Sequence, residues 1–226
     1  PADDSGNPFG LDAIRDCAGT PLTPGPAVAK GWDLAKSVDW TVGIGLDAQC
    51  RVCELDRFQL GWEETEAKIL TATACRSLVD STGVGDPILE RLQRKSALFE
   101  GFKFTATSKQ QLMDGLRAAI QRREIRFPDG PIRDELETFE YQYSSTGVKY
   151  TAPQGLHDDC VMALALAYQQ WQALAYRADP LLATEIIDEA RMAALVKEQR
   201  EIEAAILAEE MAKAGMAETV DDEDRG

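Results

Sequence analysis

Four aspartates lie where a carboxylate is conspicuous, and they are the residues of this sequence best suited to chemistry. Asp33 lies within GWDLA, a short apolar segment typical of a β-strand, in which acidic residues are disfavoured. Asp80 ends a second apolar run, just before a glycine-rich break. Asp158 and Asp159 form a pair at the start of a long apolar helix predicted over 157–177. The fold must bring a strand interior, a strand end and a helix start together if these acids form one site.

Crowded carboxylates repel one another unless protons or cations neutralise them. Mg²⁺ and Mn²⁺ prefer oxygen ligands, and two such ions about 4 Å apart can activate water, orient a phosphodiester and stabilise the leaving oxygen. The chain has a single histidine, His157, so histidine-based metal sites and most acid–base triads are nearly excluded. Asp33, Asp80, Asp158 and Asp159 are therefore the candidate catalytic and metal-binding residues.

Each acid also has a structural explanation. Asp33 could end a strand at a polar turn, Asp80 could cap the loop 81–86, and Asp158 or Asp159 could be only a helix N-cap. We favour Asp158 as the direct ligand and Asp159 as a second ligand or a holder of water, an assignment that the sequence leaves open. His157 could contact a phosphate or a metal-bound water, or serve beside the helix cap.

The elements that position these acids follow from the apolar pattern. Three strands over 28–35, 40–46 and 50–60, joined by short turns, predict an antiparallel meander. Downstream, helices are predicted at 62–77, 87–95, 107–123 and 131–142, strands at 78–80, 99–104 and 125–127, and a hairpin at 143–150. The later strands should add to the meander in parallel. This order, closed by the final helix, predicts an α/β fold of the RNase H-like plan, a mixed sheet flanked by helices.

Three regions are expected along the chain. Residues 1–29, rich in proline and glycine, predict an extended lead-in or linker. Residues 30–178 form the predicted domain. Residues 179–226 begin with a good helix-forming composition and end in an acidic stretch, which predicts a helical and acidic tail.

The net charge of −15 argues, as an average, against a nucleic-acid partner. The charge is unevenly distributed, however, because ten basic and four acidic residues lie between Arg91 and Arg133. A phosphate backbone would interact with this locally basic stretch and not with the average charge of the chain. The same residues could equally be solvated helix faces.

Cysteine usage and hydropathy limit the cellular environments that are expected for this protein. The five cysteines are odd in number and their spacing is not that of a disulfide framework, which favours a reducing environment. Cys50 and Cys53 form a CxxC without a second such pair, so we interpret them as structural. No apolar run approaches the roughly 18 residues that span a bilayer. The sequence also lacks the GxxxxGK[ST] pattern of ATP-binding loops.

Three segments, in order, carry a resemblance to a known family: GWDLAKSVDWTVGIGLD, LVDSTGVGDPILERL and GLHDDCVMALALA. Over about 31–176 the chain resembles the nuclease domain of the large terminase subunit of tailed bacteriophages. The resemblance implies an RNase H-like nuclease that uses Mg²⁺ or Mn²⁺, with Asp33 as the first acidic ligand, Asp80 as the second, and Asp158 and Asp159 as the closing pair.

The resemblance also implies a setting. In that family an ATPase motor precedes the nuclease, which cuts concatemeric double-stranded viral DNA during packaging into a procapsid. The expected partners are DNA, the phage portal, the small terminase subunit and the ATPase domain of the same polypeptide, in the host cytoplasm. The chain starts at Pro1, which we interpret as a piece of a longer protein. Residues 179–226 could dock on the portal.

Two other interpretations remain open. The same fold could serve a Holliday-junction resolvase or a transposase-like nuclease. Alternatively, the acids could be vestigial and the chain a non-catalytic module that docks on a portal.

Overall fold

A mixed five-stranded sheet with helices on both faces organises the chain. A computed structural model describes residues 7–35, 40–83, 85–144, 147–151 and 157–177. The helices are α1 (Leu11–Cys17), α2 (Trp62–Thr71), α3 (Gly85–Lys95), α4 (Ala106–Gln121), α5 (Pro131–Thr138) and α6 (Asp159–Arg177). The strands are β1 (Ala29–Asp33), β2 (Thr41–Leu46), β3 (Val52–Phe58), β4 (Arg76–Asp80), β5 (Phe99–Phe102), β6 (Glu140–Ser144) and β7 (Gly147–Thr151).

The sheet has the predicted topology. Its strand order is β3-β2-β1-β4-β5, with β1, β2 and β3 antiparallel. Strands β4 and β5 join the other side of β1 in parallel. Strands β6 and β7 form a separate antiparallel hairpin. The predicted α/β fold with a mixed sheet flanked by helices is therefore confirmed.

Helix α6 lies across one face of the sheet and forms the main core. Residues 160–168 of this helix are all buried, as expected for a helix that is apolar on every side. They pack with the apolar residues of β2 and with helices α1, α4 and α5. A second, smaller core lies on the opposite face, where Trp32, Val79 and Leu92 pack with residues of α2 and α3.

Two glycines in β2 make room for the large side chains of Trp32 and Lys30, which project from β1, the central strand, on the face of the second core. A Cβ at Gly43 would lie 2.3 Å from the ring of Trp32, so only glycine leaves room for the indole across β2. Lys30 crosses the same strand beside Gly45 and reaches β3, where its Nζ lies 2.7 Å from Glu54 Oε2 and 2.8 Å from an Asp56 carboxylate oxygen. Lys30 is completely buried.

The N-terminal segment differs from the extended lead-in that the sequence predicts. Helix α1 packs in the main core through Ile14 and Cys17, and the ring of Phe9 contacts that of Phe139 at a tilt, with 5.6 Å between their centroids. Asn7 donates hydrogen bonds to two carbonyl groups at the end of α5. From residue 7 onwards, the segment therefore packs against the predicted domain. A helix of seven residues is too short to give a clear periodic signal.

Smaller differences concern element ends. The strand predicted at 78–80 begins at Arg76, and the strand predicted at 125–127 is reduced to an isolated bridge between Arg51 and Arg126. The helix predicted at 107–123 begins at Ala106 and is capped by Thr105, whose Oγ1 accepts from Ser108 N. In the described residues, no helix is long and apolar enough to cross a membrane. The predicted tail, 179–226, lies outside the described residues.

Candidate metal centre

Asp33 and Asp80 end two neighbouring parallel strands. In the register of β1 with β4, Gly31 pairs with Leu78 and Trp32 with Val79, so Asp33 and Asp80 occupy the next rung. Paired residues of parallel strands project to the same face of a sheet, because the side-chain period is two. The topology therefore places both carboxylates on one face at the carboxyl edge of the sheet.

Helix α6 begins above this edge. Gly31 lies two residues before Asp33 and hence on the same face, and a Cβ there would lie 2.2 Å from Ala163 O and 2.3 Å from Ala167 N. The backbones of β1 and α6 thus pack directly on each other at Gly31. Further along α6, Trp171 Nε1 donates to Asp47 O, just beyond the end of β2 that pairs with Ala29, so the start of α6 lies toward the Asp33 end of β1.

Asp158 occupies the N-cap position of α6, since its carbonyl accepts a hydrogen bond from Met162 N at 2.9 Å. The carboxylate of Asp158 does not cap the helix, because the amides of Cys160 and Val161 both donate to the carboxylate of Glu135 on α5. The purely structural explanation of Asp158, as a side-chain cap, is thereby weakened. Asp80 does have a turn-forming role, because its Oδ1 accepts from Thr82 N at 2.8 Å.

The pKa of Asp33 reflects the closeness of the other three acids. Burial raises the pKa of Asp33 well above its usual range, and the charges of Asp80, Asp159 and Asp158 raise it further. The nearby ammonium of Lys109, on α4, opposes these effects. The four candidate acids therefore lie within electrostatic range of one another, and their negative charge is only partly compensated.

Two further residues lie beside the acids. Lys109 Nζ lies 3.6 Å from Asp158 Oδ2, with about a third of its side chain exposed. His157 Nδ1 lies 3.4 Å from Asp159 Oδ2. Sequence reasoning noted His157 but missed Lys109, since a lysine on an amphipathic helix has no local feature that marks it.

The donor set fits a divalent cation of the Mg²⁺ or Mn²⁺ class, which binds carboxylate oxygen and offsets clustered negative charge. Among the residues that the structure describes, no three Asp, Glu, His or Cys side chains are close enough to enclose a metal ion as they lie. The acids are thus near one another without converging on one point. Rotations about side-chain bonds, which commonly accompany binding, are the movements available to close them.

Other acids and cysteines take structural parts. Asp47 is buried and binds the backbone and guanidinium of Arg51 as well as the hydroxyl of Thr23. Burial raises the pKa of the Cys50 thiol well above its ordinary value, and burial with the charge of Glu54 raises that of Cys53 to about 11. Cys50 is buried in the main core and the thiol of Cys53 lies 3.5 Å from Gly45 O, which agrees with structural parts for both.

Comparisons of sequence identify relatives. No protein-family model matches the chain. The large terminase subunit of Thermus virus P23-45 is 31% identical over 152 residues, which is 63% of this chain and 31% of that protein. The corresponding subunit of Thermus phage G20c is 30% identical over 152 residues, with the same shares covered. The chain thus spans about a third of the length of these curated relatives.

Comparisons of structure agree. The large terminase nuclease from thermophilic phage G20c with bound magnesium superposes with a TM-score of 0.66 and 25% identity, over 75% of this chain and 99% of that one. A mutant nuclease domain of the large terminase subunit gp2 of bacterial virus Sf6, with manganese and beta-thujaplicinol, gives a TM-score of 0.54 at 11% identity, over 73% and 98% of the chains, and so supports the fold alone. The resemblance inferred from the three sequence segments is confirmed, and this chain is similar in sequence and in fold to the nuclease domain of large terminase subunits.

Proposed function

We propose that this chain is a metal-dependent endodeoxyribonuclease that cuts double-stranded, concatemeric viral DNA during genome packaging. The observation that carries the proposal is the position of Asp33 and Asp80 on one rung of two adjacent strands, on one sheet face, with Asp158 and Asp159 at the helix start near them. The G20c large terminase nuclease, 25% identical to this chain, has been solved with bound magnesium, which supports a hard divalent cation as the cofactor.

The proposed roles follow from position. Asp33 and Asp80 hold the cation, or a pair of cations, from the sheet, and Asp158 and Asp159 complete the ligand set from the helix. A bound Mg²⁺ or Mn²⁺ supplies charge for the phosphodiester and lowers the pKa of attacking water. Lys109 lies where an ammonium can meet a backbone phosphate, because it already interacts with Asp33 and Asp158.

Contacts with DNA are expected to be non-specific. Within the basic stretch 91–133, several cations are bound to acids of the fold, as Arg91 and Lys95 are to Glu66 and Arg123 is to Asp16. The remaining charge would position the DNA backbone without reading bases. We therefore expect weak binding by this chain alone that falls steeply with salt.

The proposed setting is phage assembly in the host cytoplasm. The portal, the small terminase subunit and the ATPase domain of the same polypeptide are the proposed partners, in keeping with the relatives, which are large terminase subunits. Residues 179–226 are the segment we propose for docking.

Plasmid cleavage with Mn²⁺, Mg²⁺ or EDTA tests the activity. The parent chain should cut supercoiled and linear DNA only with a metal, while Asp33→Asn and Asp80→Asn should each abolish cutting. Glu90→Gln is the matched control, because Glu90 is an exposed acid on α3 whose nearest partner is Arg94. It should cut like the parent.

Three results would contradict the proposal. Unchanged cutting by both aspartate variants would remove the proposed site. Cutting confined to four-way junctions would favour the resolvase alternative. Absence of Asp33-dependent Mn²⁺ binding, together with absence of cutting, would favour a non-catalytic docking module.

A further inference from the structure

The first turn of α6 is capped by a side chain from another helix. A helix leaves its first N–H groups without intrahelical partners, and the N-cap side chain usually accepts from the second or third of them. In α6 these groups belong to Cys160 and Val161. They donate instead to Glu135 Oε2 on α5, at 2.7 and 3.4 Å.

This arrangement is unexpected on grounds of stability. Asp158 already lies at the N-cap, and aspartate is among the best capping residues. Glu135 is 7% exposed, and among the described residues its Oε1 has no hydrogen-bond partner. Burial of a carboxylate with one unsatisfied oxygen is costly. The thiol of Cys160, the two amides and the nearby charge of Arg57 offset only part of this cost, because burial still raises the pKa of Glu135.

The arrangement has a clear effect on the acids. If its own helix amides were available, the Asp158 carboxylate would fold back over the first turn of α6. Glu135 occupies those amides, so the carboxylate of Asp158 remains at the edge where Asp33 and Asp80 end. Asp158 Oδ2 indeed lies near Lys109 on α4 rather than on the capping amides.

We propose that Glu135 is a positioning residue of the metal centre, which keeps Asp158 available as a ligand by capping α6 in its place. This inference rests on the proposed metal-dependent function. It assigns Glu135 no contact with metal or DNA.

Calorimetric titration of the full chain with Mn²⁺ alone tests the inference. Glu135→Ala should weaken Mn²⁺ binding about 10–100-fold, the usual cost of losing a residue that orients a metal ligand. Glu135→Gln should stay within about fivefold of the parent, because its amide oxygen still accepts from the helix and only a charge near the helix start is lost. Glu135→Asp, one methylene too short to reach the amides, should behave like alanine and replaces it if the alanine variant does not fold.

Glu66→Ala is the matched control. Glu66 is also 7% exposed and binds two charged partners, but it lies on α2 with the second core, on the other face of the sheet. It should lose stability without losing Mn²⁺ affinity. A purely structural Glu135 would behave in the same way.

The outcomes separate the two proposals. If the parent binds Mn²⁺ and loses it on Asp33→Asn, while folded Glu135→Ala or Glu135→Asp binds as the parent does, the positioning role of Glu135 is overturned alone. If the parent shows no Asp33-dependent Mn²⁺ binding, the proposed function falls, and this inference with it. Weakened binding by alanine and aspartate, with rescue by glutamine, supports the inference.

Discussion

Gly31 on β1 packs directly against the backbone of Ala163 on α6, with 2.2 Å between a Cβ built on Gly31 and the carbonyl oxygen of Ala163. Neither partner can move aside by changing a rotamer, because both surfaces are backbone. The distance from Asp33 to the start of α6 is therefore set two residues away, by the lack of a side chain.

Gly31→Ala should destabilise the fold by about 1–3 kcal/mol, the usual cost of overpacking a core, and should reduce Mn²⁺ affinity by displacing α6. Urea unfolding and Mn²⁺ titration are the measurements. Gly115→Ala is the control, since it lies within α4 and its added Cβ would meet only Gln172, at 4.0 Å. That change should stabilise by about 0.5–1 kcal/mol, and a comparable gain at Gly31 would refute the packing argument.

Asp33→Asn should raise the melting temperature in EDTA, because it removes the buried carboxylate that Asp80, Asp158 and Asp159 disfavour. The same variant should lose the stabilisation that millimolar Mn²⁺ gives the parent, which follows from mass action on the folded state. Thermal unfolding with and without Mn²⁺ measures both effects. Asp129→Asn, an exposed acid paired with Arg133, should show neither. A lower melting temperature for Asp33→Asn in EDTA would contradict the repulsion.

Glu66 should contribute stability that depends on pH. Hydrogen bonds from Lys95 and Arg91 lower the pKa of Glu66 in the folded protein. Its contribution is therefore complete above the unfolded-state pKa and is lost as the pH falls through the lowered folded value. Glu66→Gln should cost about 1–2 kcal/mol at neutral pH, since both cations are partly solvated. Urea titrations of parent and variant should converge in acid, and a constant difference down to low pH would exclude this origin.

Lys30→Ala should be more damaging than loss of a surface lysine. The change leaves Glu54 and Asp56 facing each other without their cation, beside a gap under Trp32. We expect a loss of about 2–4 kcal/mol, below the value for a fully buried pair because both carboxylates reach solvent. Combining Lys30→Met with Glu54→Gln and Asp56→Asn should recover part of the loss in urea unfolding. If the triple variant had a lower free energy of unfolding than Lys30→Ala, the charges themselves would be shown to stabilise β3.

The order of elements could be predicted from the sequence because it depends on local pattern. The apolar runs around Asp33 and Asp80, and the uninterrupted apolar helix after Asp159, are signals within a few residues of each acid. Short connections and parallel addition of later strands then allow few topologies. The assignment of Asp158 as the direct ligand, with Asp159 as a second ligand or a holder of water, stays a prediction.

The contributions of Glu135, Lys109 and α1 could not be predicted, since each depends on contacts distant in sequence. Glu135 caps a helix that starts more than twenty residues later. Lys109 lies close to Asp158 only because α4 packs on α6. Nothing in the composition around either residue distinguishes it from a solvated charge on a helix.

The strands that end in Asp33 and Asp80 both lie in the interior of the sheet, with a hydrogen-bonded neighbour on each side. Proteins open first at frayed ends and exposed loops, and last in strands of this kind. The spacing of the two sheet acids therefore survives small fluctuations at the edges and surface of the domain. The two acids should lose their spacing only when the whole domain unfolds cooperatively. Peripheral segments can therefore open locally while the geometry of the candidate metal centre is kept.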